Sequence, residues 1–561
     1  MKTLFSVFAD TSIHHQTVFF DDEYLYSGKD IIALSFLCHA VLRERTDCGD
    51  FVIATDNPAV MLPLMFAGWL LGRNIIQPNT LQVEGFRVFD PKKTLCVFGE
   101  KRIYDETCEY FTDNDEASGK SLNADVSKPA LTDLSAVFDA YRSACCASVA
   151  GFSGSVKSGD VCRKGIHAFT AETAGILRDI LLGNDITGVR DSLSEQFPGL
   201  AVGNPEDFIA VLADFMSDPL NETRLCITGL TSGSTGLPKR VPRTLGDFYS
   251  EIDCVRGFIL PSYAENTVGA ATVTNFHAYG VLFRFLLPVI SEIPVYGHML
   301  EYQEQFIRLK KFGRNLFLVS NPGFFKRLDG ESCPVKVNLM MSAGGRLNLP
   351  VLDKAGTVYD APLLEIYGST ETGVMAYRYP VTAEEDWCVP ETSVAEAVDE
   401  NGNPVDGPGL IRITAAHVNG GIPYTGSDVI CLNPVRDGRT SFSLLGRSDR
   451  IIKLEDNRVS LDELEKTMAG HEFIRECAVV KYEYNGREFI GAMLVLSENG
   501  KRAYAAETPG RFFIRLRNEL SRGMVRLAVP RRFIITDELP LTDSRKIAYR
   551  KVERAFNHES A

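Results

Sequence analysis

Nine consecutive residues, Thr231-Ser-Gly-Ser-Thr-Gly-Leu-Pro-Lys239, are of the types that hold a polyphosphate. Gly233 and Gly236 let the backbone turn successive N–H groups toward one anion, the hydroxyls of Ser232, Ser234 and Thr235 add donors, and Lys239 adds a charge. The spacing is not that of GxxxxGK[ST], because Leu237 and Pro238 separate Gly236 from Lys239, and kinase and GTPase readings fall with it. Neither Ser232 nor Ser234 has glycines at both two-residue offsets, so a GxSxG hydrolase elbow is absent as well. A plain flexible turn is the competing reading, and the unbroken run of fitting residues weighs against it.

Such a loop needs a rigid element in front of it, and Arg224 to Leu230 reads as a buried strand running straight into Thr231. Thr94 to Phe98, Leu316 to Val319, Val337 to Met341 and Leu363 to Tyr367 read as further strands, with amphipathic helical runs between several of them. That alternation predicts an α/β architecture with largely parallel sheets. Glu106 to Lys128 is polar and acidic and reads as a surface loop, and the stretch from there to about Asn221 has helical periodicity without legible chemistry. From Gly446 the pattern tightens into strand and helix signals at Arg450 to Leu454, Leu461 to Met468, Cys477 to Tyr482 and Phe489 to Leu496, predicting a small C-terminal domain of about 110 residues.

Composition bounds the function. The 561 residues are 45% hydrophobic and 24% charged, enough for several cores, and the net charge of −14 argues against broad nucleic-acid binding. The 13 cysteines include no CxxC pair, and Cys38, Cys226, Cys254 and Cys477 sit in apolar or mixed runs that suit reduced core thiols in a reducing compartment. The apolar start is interrupted at Asp10, which makes a poor secretory signal. Ala59 to Leu71, which contains Pro63, is shorter than the roughly 20 residues of a membrane span. The expectation is a cytoplasmic protein without a transmembrane segment.

The loop at Thr231 to Lys239 resembles the phosphate loop of the adenylate-forming superfamily, which includes acyl-CoA synthetases, nonribosomal-peptide adenylation domains and luciferases. Further motifs of that family recur in order over roughly residues 50 to 550. Asp50 to Pro58 and Phe66 to Pro78 are similar to its first strand-helix-strand unit. Asn275-Phe-His-Ala-Tyr-Gly280 resembles its His-x-x-Gly segment, which implies that His277 and Gly280 border the acyl pocket. Ser342-Ala-Gly-Gly-Arg-Leu347 resembles the segment that lays backbone against adenine, here Gly344 and Gly345. Glu365-Ile-Tyr-Gly-Ser-Thr-Glu-Thr-Gly373 implies that Tyr367 stacks on adenine, Thr370 bonds the α-phosphate and Glu371 holds Mg²⁺. Tyr424-Thr-Gly-Ser-Asp428 implies Asp428 as the ribose ligand, with Ser427 leaving the local register open. Gly446-Arg-Ser-Asp-Arg-Ile-Ile-Lys453 resembles the domain junction, with Arg447 on the nucleotide and Asp449 as the hinge. Leu539-Pro-Leu-Thr-Asp-Ser-Arg-Lys-Ile547 resembles the motif of the catalytic lysine, here Lys546.

The resemblance implies a large, multi-subdomain N-terminal AMP-binding domain over 1–448 and a small mobile α+β lid over 449–561. It implies ATP and Mg²⁺ as cofactors, a carboxylic acid as substrate, and CoA or the phosphopantetheine of a separate acyl carrier protein as acceptor. The chemical task is to bring a carboxylate against the α-phosphate, where each unit-charge pair repels by about 4 kcal/mol at about 4 Å and an effective dielectric near 20. Mg²⁺ on Glu371, the loop donors and Lys546 would offset it. Phe276 to Pro288 resembles synthetases that load aryl or fatty acids onto acyl carrier proteins. Two departures bear on the second half-reaction: Asp456 and Arg545 stand where the family carries glycine. The competing readings are a ligase with a non-thiol acceptor and a degenerate nucleotide-binding scaffold, and the joint presence of Lys239, Glu371, Asp428, Arg447 and Lys546 disfavours the scaffold.

Overall fold

Short runs of Val, Ile, Leu and Phe that are buried along their whole length pair side by side into two parallel-rich sheets, the pattern expected of strands covered on both faces by helices. The computed structural model describes residues 3–43, 48–78, 80–82, 86, 88–89, 93–117, 130–145, 147–148, 178–182, 189, 204–231, 239–259, 266–380, 386–435, 438–454, 457–484, 487–521, 528–541 and 547–558. The chain groups into two compact units, one of residues 1–385, 390–393 and 415–422, the other of residues 386–389, 394–414 and 423–561.

In the first unit, one sheet runs in the order Ala130–Asp133, Thr94–Phe98, Asp50–Ala54, Asn74–Ile76, Cys226–Thr231 and Lys239–Thr244, parallel except for the last pair. The second sheet orders Leu363–Ser369, Val337–Ala343, Asn315–Ser320, Thr267–Ala271, Val295–Met299 and Thr17–Phe20 in parallel, with antiparallel strands beyond both ends. Two largely buried helices, Gly28–Leu42 and Pro58–Leu70, fill the space under these sheets, and Phe5 of the short helix Leu4–Ala9 stacks on Phe66 of the second. The expected strands at Thr94, Leu316, Val337 and Leu363 are all present within two residues of their expected bounds, as is the strand-helix-strand unit beginning at Asp50. Ala59 to Leu71 is a buried core helix, and no helix among the described residues is long and apolar enough to cross a membrane. Cys38, Cys226, Cys254 and Cys477 are free thiols.

One expectation is corrected. Glu106 to Ala117 is not a loop but the larger part of the helix Lys101–Ala117, while 118–128 lie outside the described residues. Its polar composition hid a helical period: Ile103 and Thr107, four apart, are buried, and the Thr107 hydroxyl bonds back to the Ile103 carbonyl.

In the second unit an antiparallel meander built on Gly409–Ala415, Tyr424–Leu432 and Ser441–Arg447 precedes a small α+β body. There the hairpin Ile474–Tyr484 and Arg487–Leu496, extended in parallel by Arg532–Ile535, packs against the helices Leu461–Ala469, Pro509–Leu520 and Tyr549–His558.

His39, on the helix Gly28–Leu42, meets Phe208 edge-on with ring centroids 5.5 Å apart. Burial, helped by the Arg43 cation, pushes its pKa down to about 4 from an ordinary 6.5. A depressed folded value means that stability is fully present above about 6.5 and is lost as pH falls through about 4. The melting temperature of a His39→Gln variant, measured relative to wild type, is therefore expected to rise as pH is lowered across that window.

Candidate functional site

The strands Cys226–Thr231 and Lys239–Thr244 form a hairpin in which Thr231 and Lys239 are opposite partners, so the ends of the phosphate loop are brought together. Ser232, Gly233, Ser234, Thr235 and Gly236 lie outside the described residues, as do the Thr231 side chain and Lys546. Lys239 reaches across to Glu371, its Nζ 3.8 Å from Oε1. Thr370 packs over the same hairpin, with its Cγ2 3.5 Å from where a side chain on Gly229 would begin. Lys239, Thr370 and Glu371 thus converge at one corner, although Thr370 follows Lys239 by 131 positions in the sequence (370 − 239).

That corner is braced from beneath. Thr370 and Glu371 form the tip between Leu363–Ser369 and Gly373–Arg378, and reciprocal bonds between Ser369 and Thr372 hold the tip closed. Gly373 has φ +66°, and a Cβ there would lie 2.4 Å from Glu251 Oε1, so glycine is required twice over. Glu251 Oε1 accepts the Val374 N–H (2.7 Å), Oε2 pairs with Arg243 (2.8 Å), and the Arg243 guanidinium lies over the Phe248 ring. His417 Nε2 donates to the Val374 carbonyl from the other side (2.8 Å). Arg243 leaves the phosphate-loop hairpin on the same strand as Lys239, so this buried pair ties the two halves of the corner together.

A second buried pair supports the segment expected to face adenine. Arg378 Nε donates to Glu365 Oε2 (2.6 Å), both side chains are 1% exposed, and Glu365 Oε1 accepts the Leu347 N–H (3.0 Å). Gly344 and Gly345 lie in the exposed bend after Val337–Ala343, and the half-buried Tyr367 stands on the strand beside it.

Strand order in the second sheet reverses between Thr267–Ala271 and Asn315–Ser320, because the chain steps outward to Val295–Met299 and then returns across to Asn315–Ser320. Ligands of open α/β sheets gather at the carboxyl ends of strands at such a switch point. Thr272 and Ser320 mark those ends, their hydroxyls 2.7 Å apart, and Ser320 is in register with the buried Ser342. Tyr279 joins them: burial pushes its phenol well up, while the nearby Ser320 main chain acts the other way. His277 caps the short helix Ala278–Gly280 on this side. Gly280 is set by packing, since a Cβ there would lie 1.9 Å from the Thr274 carbonyl oxygen.

In the second unit Asp428 and Arg447 are opposite partners on Tyr424–Leu432 and Ser441–Arg447, with Nη1 to Oδ1 at 3.8 Å. The first of these strands runs unbroken through Ser427. Asp449 falls in the turn Ser448–Arg450, and the neighbouring Arg450 is the centre of a cluster. It pairs with Asp462 and Glu465 and stacks on Tyr549 (3.8 Å), whose hydroxyl donates to Glu465 Oε2 (2.8 Å). Burial pushes the Glu465 carboxyl up against the opposing pull of Arg450. Leu541 and Ile547 pair as a bridge on either side of 542–546, which lie outside the described residues with Arg545; Asp456 does too.

The braces were missed by sequence reasoning. Arg243, Glu251, Glu365 and Arg378 belong to no chemical motif, and only charged residues set inside otherwise apolar runs, as at Arg378 after Val374-Met-Ala-Tyr377, hinted at buried pairs.

Residues 185–421 match the family described as AMP-binding enzyme, and residues 463–546 match the AMP-binding enzyme C-terminal domain. Among curated relatives, tyrocidine synthase 3 of Brevibacillus parabrevis is 24% identical over 353 residues, 56% of this chain but 5% of that protein. A D-alanine--D-alanyl carrier protein ligase of Staphylococcus aureus is 30% identical over 114 residues, 20% of this chain and 22% of that one. The chain thus spans a small part of the curated relatives it matches. Among solved structures, ATP-bound MatB from Rhodopseudomonas palustris superposes with a TM-score of 0.68 at 13% identity, covering 100% of this chain and 99% of that one. The two family matches together take in more than half of the residues and enclose the corner of Lys239, Thr370 and Glu371, and the chain belongs to the adenylate-forming superfamily of AMP-binding ligases.

Proposed function

We propose that the protein activates an aryl or fatty carboxylic acid to an acyl-adenylate and passes the acyl group to the thiol of CoA or of a separate acyl carrier protein. The observation that carries this reading is the meeting of Lys239, Thr370 and Glu371 at the mouth of the phosphate-loop hairpin. A lone, partly exposed carboxylate beside a phosphate site fits Mg²⁺, which keeps water and phosphate oxygens as most of its ligands. Among the described residues no group of three or more His, Cys, Asp or Glu forms a cage that would bind a metal without the nucleotide. When bound, Mg²⁺ would neutralise charge on the leaving phosphates.

In the first step a substrate carboxylate oxygen attacks the α-phosphorus of ATP, the bond to the β-phosphate oxygen breaks, and pyrophosphate leaves with that electron pair. Thr370 holds an α-phosphate oxygen, Lys239 meets the outer phosphates, and Asp428 with Arg447 takes the ribose. Lys546, carried by the lid over 449–561, would bridge the two anions. In the second step the thiol sulfur attacks the acyl carbonyl, AMP leaves, and the thiol proton passes to solvent. His277 and Gly280, with Tyr279 behind them, wall the acyl end. Asp449 as hinge would withdraw Lys546 between the steps. The free thiols support a cytoplasmic setting.

The test is exchange of labelled pyrophosphate into ATP across aryl, short, medium and long-chain acids, followed by single turnover with CoA or a phosphopantetheinylated carrier protein. Exchange with one class of acid is expected. Product with an amine and none with either thiol would replace the thioester reading, and ATP binding without exchange for any acid would sink adenylation.

A further inference from the structure

We propose that Asp56 and Arg284 are positioning residues for the acyl end of the site, holding the Phe276-His277 wall where the acid binds; this rests on the proposed acid-activating function. Arg284 is 1% exposed in the middle of the helical run 278–290. Its turn, Val281–Leu286, is a π-helix. The cause lies four residues on: Pro288 has no N–H for the Arg284 carbonyl and its ring would crowd that carbonyl, so the helix widens just ahead of it.

Three segments converge on that guanidinium and its carboxylate, two of them loops and one a strand. Arg284 Nη1 donates to Asp56 Oδ2 (2.7 Å) and to the Val273 carbonyl (2.9 Å), and Nη2 donates to the Gly297 carbonyl (2.9 Å). Asp56 Oδ1 accepts the Asn275 N–H (2.7 Å), and the Asp56 carbonyl accepts from Asn275 Nδ2 (3.0 Å). Val273 and Asn275 bracket the bend that leads from Thr267–Ala271 to His277, Gly297 lies on Val295–Met299, and Asp56 follows Asp50–Ala54 of the other sheet. One carboxylate and one guanidinium therefore fix the bend against both sheets. The next two residues are Phe276 and His277, and the His277 carbonyl accepts the Val281 N–H that begins the same helix (2.9 Å). Among the described residues the hydrogen bonds of Asp56 and Arg284 beyond the pair itself run to Val273, Asn275 and Gly297, so its influence should reach the acid and spare the nucleotide.

Arg284→Lys keeps the cation and loses the fork that spans three acceptors. Small misplacements near reacting groups carry large penalties, and the KM for the acid is expected to rise about tenfold with the KM for ATP unchanged within about twofold. Asp56→Asn, which keeps the shape and removes the charge, is expected to give the same split and serves if Arg284→Lys folds poorly. Equal changes in both KM values, or a lowered melting temperature with neither KM moved, would mean that the pair is structural only. If wild type turns over no acid, the proposed function fails, and amide hydrogen exchange then decides this inference. Asn275 and Val281 are expected to exchange about tenfold faster in Arg284→Lys while Val337–Ala343 is unchanged, and equal protection would overturn it.

Discussion

Glu371→Gln is expected to lower acid-dependent pyrophosphate exchange by about 10²- to 10³-fold, the range seen when one preorganised electrostatic group is removed from an active site. The substitution preserves shape and removes the charge that a hard cation needs. The Ser369 and Thr372 hydroxyls close the tip without help from Glu371, which is 27% exposed, so the melting temperature should stay close to wild type. The Mg²⁺ concentration for half-maximal rate should rise together with the KM for ATP. Lys546→Ala should produce a loss of the same order in exchange, while transfer from a supplied acyl-adenylate to thiol survives. Undiminished exchange in Glu371→Gln across a magnesium titration would remove Glu371 from the proposed metal role.

The largest expected effect on stability lies at Glu365 and Arg378. Glu365→Leu strands a guanidinium that is 1% exposed, and breaking a buried pair in this way costs about 3–5 kcal/mol. Replacing both partners, as Glu365→Leu with Arg378→Met, removes the stranded charge and should restore most of the lost stability in urea unfolding. Function should not return with it. The Leu347 N–H loses its acceptor in both variants, which loosens the Ser342 to Leu347 segment, so the KM for ATP should stay raised in the double variant. A double variant with wild-type KM would show that Glu365 serves the fold alone.

Elements whose chemistry is local were legible from sequence. The strand into the phosphate loop follows from residue types within a few positions, whereas Thr370, Glu371, Asp428 and Arg447 were singled out through the family resemblance, and the strand pairing of the last two emerged only in the structure. What pairs across long separations was not. Glu251 meets the Val374 N–H across 123 residues and Arg284 meets Asp56 across 228, and Glu251, Arg284 and Asp56 each look alone like an ordinary surface charge. The helix Lys101–Ala117 was misread for a related reason: the buried positions among its described side chains, Ile103 and Thr107, include a threonine, so composition outweighed period.

The cluster around Arg450 sets where the chain can be recombined. Its partners Asp462, Glu465 and Tyr549 are spread over almost the whole C-terminal stretch, yet they converge on one guanidinium beside the Asp449 turn. A crossover with a relative placed anywhere between 450 and 549 would part Arg450 from the Tyr549 phenol, and one placed before 462 would part it from both carboxylates as well. A crossover just ahead of 450 transfers the group whole, and the bond from the Arg447 N–H to Asp462 would then join residues of two parents. Chimeras joined there are expected to keep the Arg450 cluster intact, which urea unfolding of such a chimera beside its parents would check.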